Sequence, residues 1–134
     1  MDSHQKTFER YVYAAAISRN PDAVAELFTE DGTYEAPLVP DAAGLPRRLA
    51  GPEAIRHGVV AYQQHVAFQG TVDFEQSGFV LHDTADPDVF IVELDTVING
   101  PTGPQRMSLV QIFRMRDGRI ASLRDYFATV LPED

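Results

Sequence analysis

Hydrophobic positions in the first half of the chain recur at helical spacing. In residues 5–18, Phe8, Tyr11, Val12 and Ala15 fall on one face of a helix. Residues 20–22 read Asn-Pro-Asp, a helix start in which the asparagine caps and the proline takes the first helical position. The pattern predicts a short helix over residues 21–28 and a third helix from residue 51 to about residue 66.

After Gly70 the hydrophobic period changes from helical to alternating. Turn clusters rich in Asp, Gly, Asn and Pro separate four long segments of this kind, which we predict to be strands: residues 71–82, 89–98, 105–116 and 119–130. A short strand over residues 33–37 and a loop over residues 38–50 precede the third helix. Helices first and strands last predict an α+β fold. Long strands in so small a chain should curl, leaving a conical internal cavity between the sheet and the three N-terminal helices.

Composition and charge narrow the classes of function. The chain has 134 residues, of which 44% are hydrophobic and 23% charged, and this suits one domain over residues 1–134. It has no cysteine, so disulfides and thiolate chemistry are excluded. A net charge of −9 argues against binding to nucleic acid or to an anionic membrane surface. With no apolar run long enough for a membrane span or a signal peptide, we expect a cytoplasmic protein.

Asp125 stands where an apolar residue is expected. In the last predicted strand it shares a face with Leu123 and Phe127. Gln111 occupies a similar place in the preceding strand, at the centre of an otherwise apolar face formed by Met107, Leu109, Phe113 and Met115. A buried carboxyl is costly, so its placement needs a reason. Asp125 is therefore the candidate proton-transfer group. The alternative is a purely structural role: Asp125 would form an ion pair with an arginine, and Gln111 would only hydrogen-bond to the backbone.

The turn at residues 117–118 decides whether Asp125 and Gln111 meet. A two-residue Asp-Gly turn would pair Asp125 with Val110 and mix the faces of the sheet. A three-residue turn with Gly118 in the left-handed conformation, followed by a bulge, would place Asp125 and Gln111 on one apolar wall. We favour the bulged turn, because it gives each face a single character.

Further candidates come from the strand over residues 89–98 and from the helices. Glu93 and Asp95 share the parity of Ile91 and Val97. If both face the cavity together with Asp125, repulsion and desolvation should raise the pKa of at least one of the three acids; alternatively, Glu93 and Asp95 face water. Tyr11 lies on the apolar face of the first helix, as a hydrogen-bond donor or as an ordinary core tyrosine. His65 is a candidate cavity proton donor, and no spacing of histidines and acids suggests a metal site.

The order of elements, with the segments LFTEDGTYEAP, GPEAIR and FRMRDGRIASLRDYF, resembles the nuclear transport factor 2-like superfamily, which includes ketosteroid isomerase-like and SnoaL-like proteins. The resemblance runs from about Phe8 to Val130. It implies a cone-shaped, curved mixed sheet wrapped around three helices, and a homodimer that packs through the outer face of the sheet. This fold hosts isomerases, dehydratases, hydrolases, cyclases and binding proteins.

Individual positions carry the resemblance further. Tyr11 matches the tyrosine that donates to the oxyanion in ketosteroid isomerase, and Gln111 matches the isomerase's second donor. Ala36 stands at the position of the isomerase's base, which implies little steroid isomerase activity. The segment LRDYF resembles that of limonene epoxide hydrolase, whose aspartate, here Asp125, activates water. Its Arg-x-Asp pair matches Glu93 and Asp95, so the arginine is replaced by an acid.

We therefore expect a cofactor-free acid/base enzyme of SnoaL-like type that cyclises, isomerises or dehydrates a small, largely apolar, ketone- or polyketide-like molecule. Asp125 would transfer the proton, Tyr11 and Gln111 would stabilise an oxyanion, and Asp95 would hold water or tune Asp125. The remaining expected ligand contacts are Glu93, His65, Met107, Leu109, Phe113 and Phe127. The alternatives are water activation by Asp125 and Asp95, as in an epoxide hydrolase, and a pocket or dimeric module without chemistry.

Overall fold

The structure is a computed structural model and describes residues 3–40, 45–64, 70–101 and 103–127. Three α-helices precede most of a seven-stranded sheet, and a π-helical turn over Tyr13–Ile17 continues the first helix. The helices are α1 Ser3–Val12, α2 Pro21–Glu26 and α3 Pro52–Gln64. The strands are β1 Phe28–Glu35, β2 Arg48–Ala50, β3 Thr71–Val72, β4 Gly78–Asp83, β5 Val89–Gly100, β6 Gly103–Arg116 and β7 Arg119–Tyr126.

The sheet is mixed, with the strand order β2-β1-β7-β6-β5-β3, and β4 also pairs with β5. The later strands follow one another in antiparallel hairpins, whereas β1 runs parallel to β7. This parallel pairing brings the first strand of the chain beside the last one. The large curved sheet with three helices confirms the expected α+β class. None of the described helices is long and apolar enough to cross a membrane.

Several predicted boundaries are wrong. The second helix ends at Glu26, because β1 already begins at Phe28 and runs on to Glu35. The expected loop over residues 38–50 contains the edge strand β2. The single strand expected over residues 71–82 is two strands, because Asp73 accepts hydrogen bonds from the backbone of Glu75 and Gln76 and closes a turn there. The predicted end of the last strand, residues 128–130, lies outside the described residues.

The hairpin between β6 and β7 places Asp125 opposite Gln111, as the bulged arrangement requires. The turn itself differs from the expectation. It has two residues, Asp117 and Gly118, both with positive φ (53° and 78°), which suits the twist of the strands. The register instead shifts inside the ladder, between Arg114 and Met115. The register that places Asp125 opposite Gln111 therefore comes from a bulge within the ladder and not from a three-residue turn.

The core lies between the helices and the face of the sheet that they cover, which we call the inner face. Phe90 of β5 and Phe113 of β6 pair across the strands and stack, with ring centroids 4.7 Å apart. Phe8 and Tyr11 of α1 meet the Phe113 ring edge-on, at 6.1 and 5.6 Å. This aromatic cluster attaches α1 to the centre of the sheet, where edge-to-face contacts add to the burial of the rings.

We expect Phe113→Ala to lower the free energy of unfolding by about 3–5 kcal/mol, because it removes a fully buried ring and leaves a cavity. Phe74→Ala is the matched control. Its ring is 51% exposed, so the change should cost about 0.5 kcal/mol or less. Urea denaturation followed by circular dichroism measures both, and equal losses for the two variants would contradict this account of the core.

Candidate functional site

An open pocket of about 790 Å³ lies between the helices and the inner face of the sheet. The helices contribute apolar side chains from α1, the π-helical turn and α3. The sheet contributes mostly apolar residues of β5, β6 and the chain after β7: Leu94, Ile98, Met107, Leu109 and Phe127. A pocket of this size and lining suits a small, largely apolar ligand. Polar groups stand out against such walls, and they define the site.

Asp125 is the only buried carboxylate among the described residues, with 6% of its surface exposed. It lines the pocket from β7, directly across the ladder from Gln111 of β6. The Tyr34 hydroxyl donates a 2.8 Å hydrogen bond to Asp125 Oδ2. Asp125 Oδ1 and Gln111 Oε1 are buried without a hydrogen-bond partner in the described part of the chain. Two neighbouring acceptors without a donor require a proton, either from the carboxyl group itself or from a bound molecule.

Burial raises the pKa of Asp125 to about 6. The hydrogen bonds from Tyr34 and from the Gln111 amide act in the opposite direction, but desolvation of the carboxylate outweighs them. Within the described residues Asp125 forms no ion pair, so the alternative of a structural partner for an arginine finds no support there. A carboxyl group with this pKa exchanges its proton near neutral pH, as a general acid or base must.

Three tyrosines surround the Asp125 carboxyl group. Burial, and then the negative charge of Asp125, raise the pKa values of Tyr11, Tyr34 and Tyr62. All three hydroxyls therefore stay protonated at neutral pH and can donate hydrogen bonds. The Tyr62 hydroxyl donates to the Pro46 carbonyl oxygen at 2.5 Å. Tyr11 and Tyr34 both line the pocket, so a phenolic donor is available beside the carboxyl group.

Tyr34 is a site residue that the sequence reasoning missed. It lies on β1, where the parallel ladder sets it against Leu123, two residues before Asp125. The sequence predicts a short strand over residues 33–37, but no local pattern indicates a parallel pairing between strands so far apart in the chain. The available signal was Tyr34 itself, an aromatic donor in a short predicted strand.

The prediction that Glu93 and Asp95 face the cavity is wrong. Both side chains are exposed on the opposite, outer face of the sheet. His82 Nε2 lies 2.6 Å from Glu93 Oε2, and the Ser108 hydroxyl donates to Asp95 Oδ1 at 2.6 Å. The reason is that β5 is apolar on both faces. Its inner face carries Phe90, Val92 and Leu94, of which the first two are fully buried, so parity with Ile91 and Val97 selected the wrong side.

The other predicted site residues separate into three groups. Tyr11, Gln111, Met107, Leu109 and Phe127 line the pocket with Asp125. Phe113 lies beneath the wall rather than in it, in the aromatic cluster of the core. The prediction for His65 falls outside the described residues. In the part of the chain that the structure describes, no three histidine or acidic side chains gather as metal ligands.

The raised pKa of Asp125 makes a prediction about stability. Because the fold favours the protonated carboxyl, its contribution is complete below the ordinary pKa of 3.8 and is lost as the pH rises to about 6. One pKa unit corresponds to about 1.4 kcal/mol, so the change amounts to roughly 3 kcal/mol. Asp125→Asn cannot ionise. Relative to the wild type, it should gain stability between pH 4 and 6 and keep a constant advantage above pH 6.

Urea titrations of both proteins at pH 4, 5, 6, 7 and 8 measure this difference. Asp95→Asn is the control, because it makes the same chemical change on the exposed outer face of the sheet, away from the pocket. A pH-independent difference between Asp125→Asn and the wild type would show that the carboxyl titrates normally.

Comparison with known proteins agrees with this architecture. A model of the SnoaL-like domain matches residues 8–123. The uncharacterised protein YesE of Bacillus subtilis (strain 168) is 28% identical over 133 residues, which cover 95% of this chain and 84% of YesE. A candidate isomerase from Bacillus subtilis superimposes with a TM-score of 0.74 at 24% identity, over 95% of this chain and 89% of the other. An LEH-like epoxide hydrolase of M. tuberculosis gives a TM-score of 0.60 at 21% identity, over 93% and 82%. The structural likenesses show the fold, and the family model spans most of the sequence: the chain belongs to the SnoaL-like domain family.

Proposed function

We propose that this protein is a cofactor-free acid/base catalyst acting on a small, largely apolar carbonyl compound. The observation that carries the proposal is Asp125, a buried carboxyl group at the wall of an apolar pocket, with one oxygen held by Tyr34 and the other without a partner among the described residues. A pKa of about 6 lets the group both accept and return a proton near neutral pH.

The proposed reaction begins when the Asp125 carboxylate removes a proton from a carbon next to the ligand's carbonyl group. The C–H electron pair forms a carbon–carbon double bond, and the carbonyl π electrons move to oxygen, giving an enolate. The Tyr11 hydroxyl donates a hydrogen bond to this oxygen. If the ligand carries a β,γ double bond, the enolate is a dienolate, and return of the proton from Asp125 to its γ-carbon completes an isomerisation. If the ligand carries a β-hydroxyl, Asp125 gives the proton to that oxygen, which leaves as water and completes a dehydration. In a cyclisation the enolate carbon attacks a second carbonyl carbon, and the oxygen of that carbonyl takes the proton from Asp125.

The positions of Gln111 and Tyr34 favour other roles than those expected from the sequence. Gln111 directs its amide nitrogen to Asp125 and leaves its oxygen unpaired within the described residues. An acceptor cannot stabilise an oxyanion, so Gln111 is proposed to position Asp125 while Tyr11 acts as the oxyanion donor. Tyr34 is a second positioning residue, because its hydrogen bond fixes one carboxyl oxygen and leaves the other for the ligand.

The alternative of water activation by Asp125 together with Asp95 loses its second carboxylate, since Asp95 lies on the outer face. A pocket that binds without catalysing remains the alternative to the enzyme. The two differ in one measurable property, the transfer of a proton between a bound carbonyl compound and solvent.

We expect the wild type to catalyse exchange of the α-protons of 2-tetralone, a bicyclic ketone, with deuterated solvent. The rate above the buffer background, followed by proton NMR, should rise with pH through about 6 and then level off, because the carboxylate is the active form. Asp125→Asn should lose about 10²–10⁴-fold of the catalysed rate.

Asp95→Asn makes the same chemical change on the outer face and should leave the rate unchanged. Binding of 2-tetralone without exchange would favour a binding protein over an enzyme. Equal losses in the two aspartate variants would remove Asp125 from the mechanism.

We also propose that two copies of the chain associate through the outer face of the sheet, as the family resemblance implies. Val80 of β4 is 56% exposed there, opposite Glu93 of β5, and the half-buried side chains of Ile91 and Ile112 pair with each other on the same face. None of the described helices covers this face, and apolar side chains on an uncovered face favour burial against a second surface.

In light scattering coupled to size exclusion, the wild type should show about twice the 14.9 kDa of one chain. Val80→Glu should shift it towards a single chain, because it places a charge within the contact. Val60→Glu, on an exposed position of α3, should stay dimeric. A wild type that runs as a single chain at 100 μM would contradict the proposal.

A further inference from the structure

A third unpaired polar group lines the pocket, on the wall opposite the sheet. Gln63 lies near the end of α3, one helical turn after Val59, and both residues line the pocket. Gln63 Nε2 is buried and has no hydrogen-bond partner among the described residues. Tyr62, the preceding residue, contacts the rings of Tyr34 and Phe127 at 6.0 and 5.9 Å, so this end of α3 faces the Asp125 region.

The sheet wall and the helix wall of the pocket therefore carry unpaired polar groups of opposite character. On the sheet, Asp125 Oδ1 and Gln111 Oε1 lack a donor among the described residues, whereas on α3 Gln63 Nε2 lacks an acceptor among them. The rest of the lining is mostly apolar, as at Val59 and Leu109, and its other polar residues, besides the tyrosines, are Glu9, Arg19, Ser77 and Thr96. The free-energy cost of leaving a buried donor unpaired is larger than the net stabilisation that one hydrogen bond gives. A bound molecule that supplies an acceptor to Gln63 Nε2 should therefore gain affinity from that contact.

We infer that Gln63 determines the substrate class by donating a hydrogen bond to a second oxygen of the ligand, away from the reacting carbon. The substrate is then an apolar molecule with two separated oxygen functions. One is the carbonyl group activated beside Asp125, and the other is an acceptor oxygen (ether, hydroxyl or carbonyl) bound by the Gln63 amide. The assignment of the reacting end rests on the proposed function, but the binding of the second oxygen can be measured without catalysis.

Matched ligands isolate this contact. The 6- and 7-methoxy derivatives of 2-tetralone carry a second oxygen acceptor, and the 6- and 7-ethyl derivatives have nearly the same shape without it. By NMR titration, the wild type should bind at least one methoxy compound about 5–10-fold more tightly than its ethyl partner, the effect of one added hydrogen bond. Gln63→Met removes the donor at similar size and should abolish that preference.

Two further variants complete the test. Gln63→Glu keeps the side-chain shape but presents only acceptors, so it should also lose the preference, and it serves in place of Gln63→Met if that variant fails to fold. Gln5→Met makes the same change on an exposed position of α1 and should keep the wild-type preference. A wild type without any methoxy preference, or a preference that survives at Gln63→Met, would overturn the inference.

Different experimental results would contradict the proposed function and the role of Gln63. Proton exchange by the wild type without a preference that depends on Gln63 would overturn the inference alone. A preference that depends on Gln63 without proton exchange would overturn the acid/base proposal and leave an assigned ligand-binding residue.

Discussion

The candidate site depends on one energetically unfavourable fact, a carboxyl group removed from water with no positive charge beside it in the described structure. Asp125 is tolerated because Tyr34 and Gln111 supply hydrogen bonds and because the group can take up a proton. The apolar walls cause the desolvation that raises its pKa, and they would also form the binding surface for the apolar ligand that we propose. In that proposal, affinity for the ligand and reactivity of the carboxyl group have the same physical origin.

Most of the fold could be predicted from the sequence because its elements carry local signals. Helical spacing located α1 and α3, Asn20 and Pro21 marked the start of α2, and alternation located the long strands. The places where prediction failed are those where a local pattern competes with a distant contact. β2 is only three residues long and exists through its pairing with β1, while the turn at Asp73 interrupts a segment that alternates like a strand.

The residues of the candidate site show the same limit of prediction from local sequence patterns. The burial of Asp125 could be predicted from its apolar neighbours Leu123 and Phe127, which are themselves fully buried or nearly so. For Glu93 and Asp95 the same reasoning failed, because both faces of β5 carry apolar residues and parity alone cannot say which face the helices cover. Tyr34 and Gln63 could not be identified as site residues from the sequence, for a different reason. Their significance depends on a parallel strand pairing and on the unmet hydrogen bond of a buried amide, neither of which is encoded by nearby residues.

The parallel pairing of β1 with β7 also has a consequence for the order of folding. Tyr34 and Asp125 are 91 residues apart in the chain, so their contact closes one of the longest loops in the structure. During synthesis on the ribosome, Tyr34 emerges long before its partner, and among the described strands β1 has only the three-residue β2 beside it until β7 arrives. The carboxyl group therefore leaves water in a late step of assembly, and a chain interrupted before β7 presents apolar sheet surface with no site on it.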